Sequence, residues 1–429
     1  MNNDEQELLL LATLEQMQEQ LLTILERLLV GFHTESPPAR NTNELQLYLK
    51  ETLEKLDFTV ETAPFYRQDT LLWATKEGTD TEHYQSLIWN GHVDVAALES
   101  LANWQTNPFE LVKKGSRLFG RGVSDMKGSV ACVIWLVQTF HQLKIHLPGT
   151  LLLQSVVGKE AGEAGTKKLL ESGQTADFAI VGDTSDLQFQ GQGGVITGWI
   201  QLKSPETFHD GNRMKMVHTG GGLFGANMIE KMTILIQALQ TLERHWGIMK
   251  SYPGFEHGTN TINPAYIEGG IHPAFVPNNC RLWITIHFYP NESIEQVTSE
   301  IEAHILATAK ADPWMKENLP TFEWGGESML VDKGEVFPPL ALDPTHSAML
   351  ELAKSHEAQT ASKPTTTMST SVSDGGWFGA YDIPAVVYGP GELLQAHSDN
   401  ESIELDQLLT YCKILGIFLL RWLSTKKTV

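Results

Sequence analysis

The sequence predicts an α/β protein: a mostly parallel sheet with helices on both faces, interrupted by an inserted α+β domain. Short, unbroken apolar runs recur in "SLIWNGHVDV", "GTLLLQSVV", "DFAIVGD" and "IPAVVYG", the pattern of strands buried on both faces. Stretches at helical spacing separate them, most plainly "GSVACVIWLVQTFHQL". From about Gly191 the texture changes to alternating strands and amphipathic helices, and after "TFEWGG" the first pattern resumes.

Residues 5–31 and 42–57 carry apolar positions at helical spacing, separated by the loop "HTESPPARNTN". The strand–helix–strand region follows. In the insertion, "GGVITGWIQLKS" and "RLWITIHFYP" alternate like half-exposed strands, while "GANMIEKMTILIQALQTLERHW" and "SIEQVTSEIEAHILATA" read as helices. A helix around His346 to His356, the strand "IPAVVYG" and a C-terminal helix complete the chain, with "SKPTTTMSTSVS" expected as a polar loop. Residues 1–190 and 331–429 are therefore expected as one domain and 191–330 as the insertion.

Bulk properties narrow the function. With 429 residues, 41% of them hydrophobic, the chain can bury more than one core. A formal net charge of -21 repels phosphate backbones and anionic membranes, so neither nucleic acid nor a membrane is an expected partner. Cys132, Cys280 and Cys412 are too few and scattered for a disulfide framework or a thiolate zinc site. The N-terminus carries acids where a secretory signal needs positive charge, and "ILGIFLL" is far shorter than a membrane span, so a cytoplasmic protein is expected.

Candidate chemistry gathers at predicted strand ends, where open α/β sheets place their ligands. His92 and Asp94 follow "SLIWNG", Asp125 sits in "GRGVSDMKGS", Glu160 follows "LLQSVV", Asp183 follows "FAIVG", and His397 lies after "AVVYG". Singly, each reads as well as a cap or turn residue. Jointly, two imidazoles and three carboxylates form an N/O donor set suited to Zn²⁺, with Co²⁺ or Mn²⁺ as alternatives. One carboxylate shared between two ions makes five ligands enough for a two-metal site, and Asp94 is placed to hold the second nitrogen of His92. On composition alone His218, His257, His272 and His287 read as structural.

"NGHVDV", "GRGVSDMKG", "KEAGEAGT", "AIVGD" and "AHSDNE", in this order around a helical insertion, resemble the M20 family of dinuclear zinc amidohydrolases and peptidases. The resemblance spans essentially the whole chain. It implies that His92 and Asp183 hold one metal, Glu160 and His397 the other, and Asp125 both, with Asp94 steadying His92. It also implies a homodimer whose inserted lid and dimerisation domain lends His218 to a neighbouring subunit's oxyanion. Further phrases, "GQGGVITGWI", "SPETFHDG", "RLWITIHFYPNE" and "DGGWF", resemble a branch that removes formate from a small formylaminopyrimidine in thiamin salvage. Phe208, Asp210 and Trp377 are candidates to contact such a ring. An N-acyl-amino-acid deacylase is the runner-up.

One position departs from the family. Its motif ends the strand with two glutamates, a general base and then a metal ligand, whereas here the pair is Lys159 and Glu160. A protonated lysine cannot accept the proton that a base must take, so impaired hydrolysis is expected, and a non-catalytic metal- or ligand-binding homologue is the alternative.

Overall fold

The computed structural model describes residues 3–36, 41–65, 68–329 and 332–427. The chain divides into two compact units, residues 1–192 with 340–429, and residues 193–339. The expected boundary at 330/331 lies outside the described residues; the second unit continues to Val336–Phe337, which pairs with its sheet.

The first unit opens with α1 (Asn3–Gln16) and α2 (Gln18–Val30), two helices where the spacing suggested one, parted at Met17. The expected loop after them lies partly outside the described residues, at 37–40, and α3 (Asn43–Glu54) follows. Then come β1 (Thr59–Pro64), β2 (Thr70–Lys76), β3 (Leu87–His92), α4 (Lys127–Gln142), β4 (Leu151–Val156), α5 (Gly165–Glu171), β5 (Ala179–Val181) and β6 (Phe189–Gln192). Both β3 and β4 are buried along their whole length, as unbroken apolar runs require.

The second unit contains β7 (Gly194–Lys203), α6 (Met228–Met249), β8 (Ile262–Gly269), β9 (Asn279–Phe288), α7 (Ile294–Ala311) and β10 (Thr321–Trp324). Its antiparallel sheet runs β8-β9-β7-β10. Along β9 the buried positions Cys280, Leu282, Ile284, Ile286 and Phe288 alternate with half-buried ones, and they share a core with Leu235, Leu239 and Leu242 of α6 and Ile301 and Ile305 of α7. Asn227 caps α6, and Ser293 with Gln296 forms a capping box at α7.

The chain returns to the first unit with α8 (Ser347–Thr360), β11 (Thr366–Ser369), α9 (Gly375–Ala380), β12 (Ala385–Val387) and α10 (Leu405–Trp422). The eight-stranded sheet has the order β11-β6-β12-β5-β3-β4-β2-β1. Its centre, β12-β5-β3-β4, is parallel, and β2 and β1 extend it antiparallel. The stretch "SKPTTTMSTSVS", expected as a loop, contains the edge strand β11, parallel to β6. Its threonines and serines hid it, because an edge strand needs no apolar run. Among the described residues no helix is long and apolar enough to cross a membrane. All three cysteines are free and buried.

Candidate metal centre

The first unit assembles the five expected ligands at the carboxyl ends of its parallel strands. His92 is the last residue of β3, and Asp183 lies two residues beyond β5. After β4, Gly158 adopts φ +90, a left-handed conformation that favours glycine, and turns the chain into the short 3₁₀ segment Lys159–Ala161. Lys159 opens this segment, and α5 begins only at Gly165. Asp125 precedes α4 in a turn whose amides converge on Glu401. That carboxylate accepts from the N–H groups of Gly122 (2.9 Å), Ser124 (2.8 Å) and Asp125 (3.0 Å), and from Arg121 Nη1 (2.8 Å). Arg121 also donates Nη2 to the His397 carbonyl at 3.2 Å, joining the Asp125 turn to the His397 loop.

Asp125 stands between the two imidazoles. Its Oδ1 lies 3.0 Å from His92 Nε2, and its Oδ2 lies 3.2 Å from His397 Nε2. His397 Nε2 is also 2.9 Å from Glu160 Oε2. The Lys159 ammonium projects into the same cluster, 3.4 Å from Glu160 Oε1, 3.6 Å from Asp125 Oδ2 and 3.9 Å from Asp183 Oδ2. Asp94 acts differently from expectation. Its main-chain carbonyl accepts from His92 Nδ1 at 2.8 Å, while its carboxylate Oδ1 is 3.7 Å from that nitrogen and its Oδ2 accepts from the Glu160 amide at 2.9 Å. Asp94 thus fixes the His92 tautomer through its backbone and the Glu160 turn through its side chain.

The electrostatics of the cluster call for positive charge. Burial and the Lys159 charge push His92 down, but its hydrogen bond to Asp125 and the charges of Asp125 and Asp94 outweigh them and lift it to about 10. Hydrogen bonds to Asp125 and Glu160 likewise raise His397 to about 10. Burial, with repulsion from Glu160, raises Asp94 to about 6, and burial with Asp125 beside it raises Asp183. Imidazoles that hold protons this firmly mark a site with more carboxylate than one ammonium neutralises. His92, Asp125 and Glu160 each offer a ligand atom within 4.8 Å of the others. The N/O donor set and its charge deficit fit divalent cations.

A cavity of about 130 Å³ is lined by Asp125, Lys159, Asp183 and His397 and also by Gln190, Gln192 and serines of the 369–373 segment. Trp377 is not among its lining residues; it is buried in α9 beneath Lys167. Phe208, Asp210 and His218 belong to the second unit. There His218 Nε2 lies 2.9 Å from Glu230 Oε2, and Phe208 pairs with Val276. Sequence reasoning missed Arg121 and Glu401. Their signal is faint, a glutamate four residues beyond His397 and an arginine between two glycines.

Residues 88–421 match the family model described as peptidase family M20/M25/M40. The chain is 50% identical over 424 residues, 99% of each chain, to "N-formyl-4-amino-5-aminomethyl-2-methylpyrimidine deformylase" of Bacillus subtilis (strain 168). It is 51% identical over 418 residues, 97% of this chain and 98% of the other, to the protein of the same name from Halalkalibacterium halodurans. Among solved structures, the M20 family metallo-carboxypeptidase Sso-CP2 from Sulfolobus solfataricus matches with a TM-score of 0.69 at 18% identity, covering 95% of this chain and 100% of that one. A dinuclear metal-binding M20 peptidase of Bacillus subtilis matches with a TM-score of 0.64 at 13% identity, over 96% of this chain and 99% of its own. The chain belongs to the M20/M25/M40 peptidase family.

Proposed function

We propose that this chain is a divalent-metal-dependent amide hydrolase acting on N-formyl-4-amino-5-aminomethyl-2-methylpyrimidine, with Lys159 holding its turnover low. The observation that carries the reading is 50% identity along 99% of both chains to a relative named for that deformylation. Thiamin salvage is the setting that the resemblance implies. His92 and Asp183 would hold one cation and Glu160 and His397 the other, with Asp125 serving both; zinc is the ion that this donor set would favour. When bound, the cations supply Lewis acidity for the amide carbonyl and lower the pKa of water in the site. Asp94 keeps the proton of His92 on Nδ1 and so leaves Nε2 free to ligate. The Arg121–Glu401 clasp holds Asp125 and His397 in register with each other.

Position 159 is where the family's base would accept a proton and deliver it to the leaving nitrogen. An ammonium can do neither, and a positioned base contributes about 10² to 10⁴ in rate. That same lysine favours a second reading, a homologue that binds metal or ligand without turnover. His218 is the donor to the oxyanion of a partner subunit's site in a homodimer. In support, the edge strand β8 of the second unit exposes Tyr266 and Ile267, with Ile271 and Phe275 exposed in the segment that follows. A cytoplasmic location accords with the free, buried cysteines. The test is formate release from the formylaminopyrimidine by this chain and by Lys159→Glu at matched metal content. No formate from either excludes the activity.

A further inference from the structure

The cavity beside the metal centre has a wall that the centre does not use. It is built from β6 and β11, which run parallel with Gln190 opposite Thr367 and Gln192 opposite Ser369. Residues two apart on a strand share a face, and both glutamines line the cavity. Their amides are in different states. Gln192 is engaged with Ser373: its Oε1 accepts from the backbone N–H (2.9 Å) and from Oγ (2.6 Å), and its Nε2 donates to the carbonyl (3.0 Å). It is buried and serves to hold the 369–373 segment in place. Gln190 is only half-buried, and its side-chain amide makes no hydrogen bond among the described residues.

Beyond the residues of the centre, this wall carries no charged side chain among the described residues. A neutral polar lining suits a neutral heterocycle better than the carboxylate of an acyl amino acid. The proposed substrate presents an exocyclic amine beside a ring nitrogen, a donor next to an acceptor. A primary amide offers the complementary pair, the match that lets glutamine read an adenine edge with two hydrogen bonds. Ser369 and Ser371 offer only single hydroxyls, and Ser369 Oγ already accepts from the Ser371 N–H at 3.1 Å.

We infer that Gln190 is a specificity-determining residue that reads the 4-aminopyrimidine edge, with Oε1 accepting from the amine and Nε2 donating to the adjacent ring nitrogen. This rests on the functional reading above and adds to it the group that selects the ring. The experiment is calorimetric binding of the formylaminopyrimidine, and of its analogue lacking the 4-amino group, to the full chain and to Gln190→Leu and Gln190→Glu. The native chain should prefer the amino compound by about 10- to 100-fold, the range of a good two-point contact. In Gln190→Leu the preference should collapse to within about threefold of unity. The near-isosteric Gln190→Glu, which keeps the acceptor and loses the donor, should bind both compounds more weakly while still preferring the amine. Native-like discrimination in a Gln190→Leu protein with an unchanged circular dichroism spectrum overturns the inference alone. Failure of the native chain to bind the formylaminopyrimidine overturns the functional reading, and the inference with it.

Discussion

Lys159 places a single fixed charge among three carboxylates, at 3.4, 3.6 and 3.9 Å. Like charges repel at these distances, so the ammonium competes with any dication for Asp125, Glu160 and Asp183. Lys159→Glu is therefore expected to bind zinc at least about tenfold more tightly, since an interaction change of 1.4 kcal/mol already gives that factor. Competition with a chromogenic chelator measures it, and equal affinity in the two proteins would show that Lys159 leaves the ligands free. At this scale much was legible in the sequence. His92 ends one apolar run and Asp183 lies two residues beyond another, and buried strands deliver the residues at and just after their ends to the rim of the sheet. What stayed hidden is geometry. That Asp94 holds His92 through a carbonyl rather than a carboxylate depends on backbone direction, which residue identity does not encode.

The turn at Asp125 shows how an element is held by distant sequence. Glu401 and Arg121 are both buried, and together they satisfy three turn amides and the His397 carbonyl. Glu401→Ala would leave Arg121 charged and unpaired at 2% exposure. Breaking a buried pair in this way costs about 3–5 kcal/mol. The expected result is a lower denaturation midpoint in urea together with weaker metal binding, because the same clasp sets Asp125 against His397. An unchanged midpoint would mean that solvent replaces Glu401. Sequence could not show this pairing, since the two residues lie far apart in the chain and a glutamate in a polar loop normally reads as exposed. Strand β11 escaped for a related reason. Its Thr and Ser residues carry no apolar signal, and only its parallel pairing with β6 makes it a strand. Helices and buried strands were visible because their periodicity is local.

At the scale of the molecule, two units have separate cores: the first holds the candidate ligands and the cavity, and the second contains His218. If His218 serves a partner's site, two inactive variants should complement each other. His218→Ala and Asp125→Ala, both on a Lys159→Glu background, are expected to regain activity on mixing, because a heterodimer contains one intact composite site. No recovery despite demonstrated subunit exchange would place His218 outside the chemistry, where loss of an oxyanion donor otherwise costs about 10² to 10³ in rate. The role of position 159 is tested by steady-state formate release by the native chain and Lys159→Glu, with matched metal content and the formylaminopyrimidine as substrate. The predicted result is a gain of about 10² to 10⁴ in kcat for the glutamate variant with little change in KM, since a general base acts on the transition state. Equal rates would contradict the assignment of position 159 as the base, and no formate from either protein would contradict the function itself.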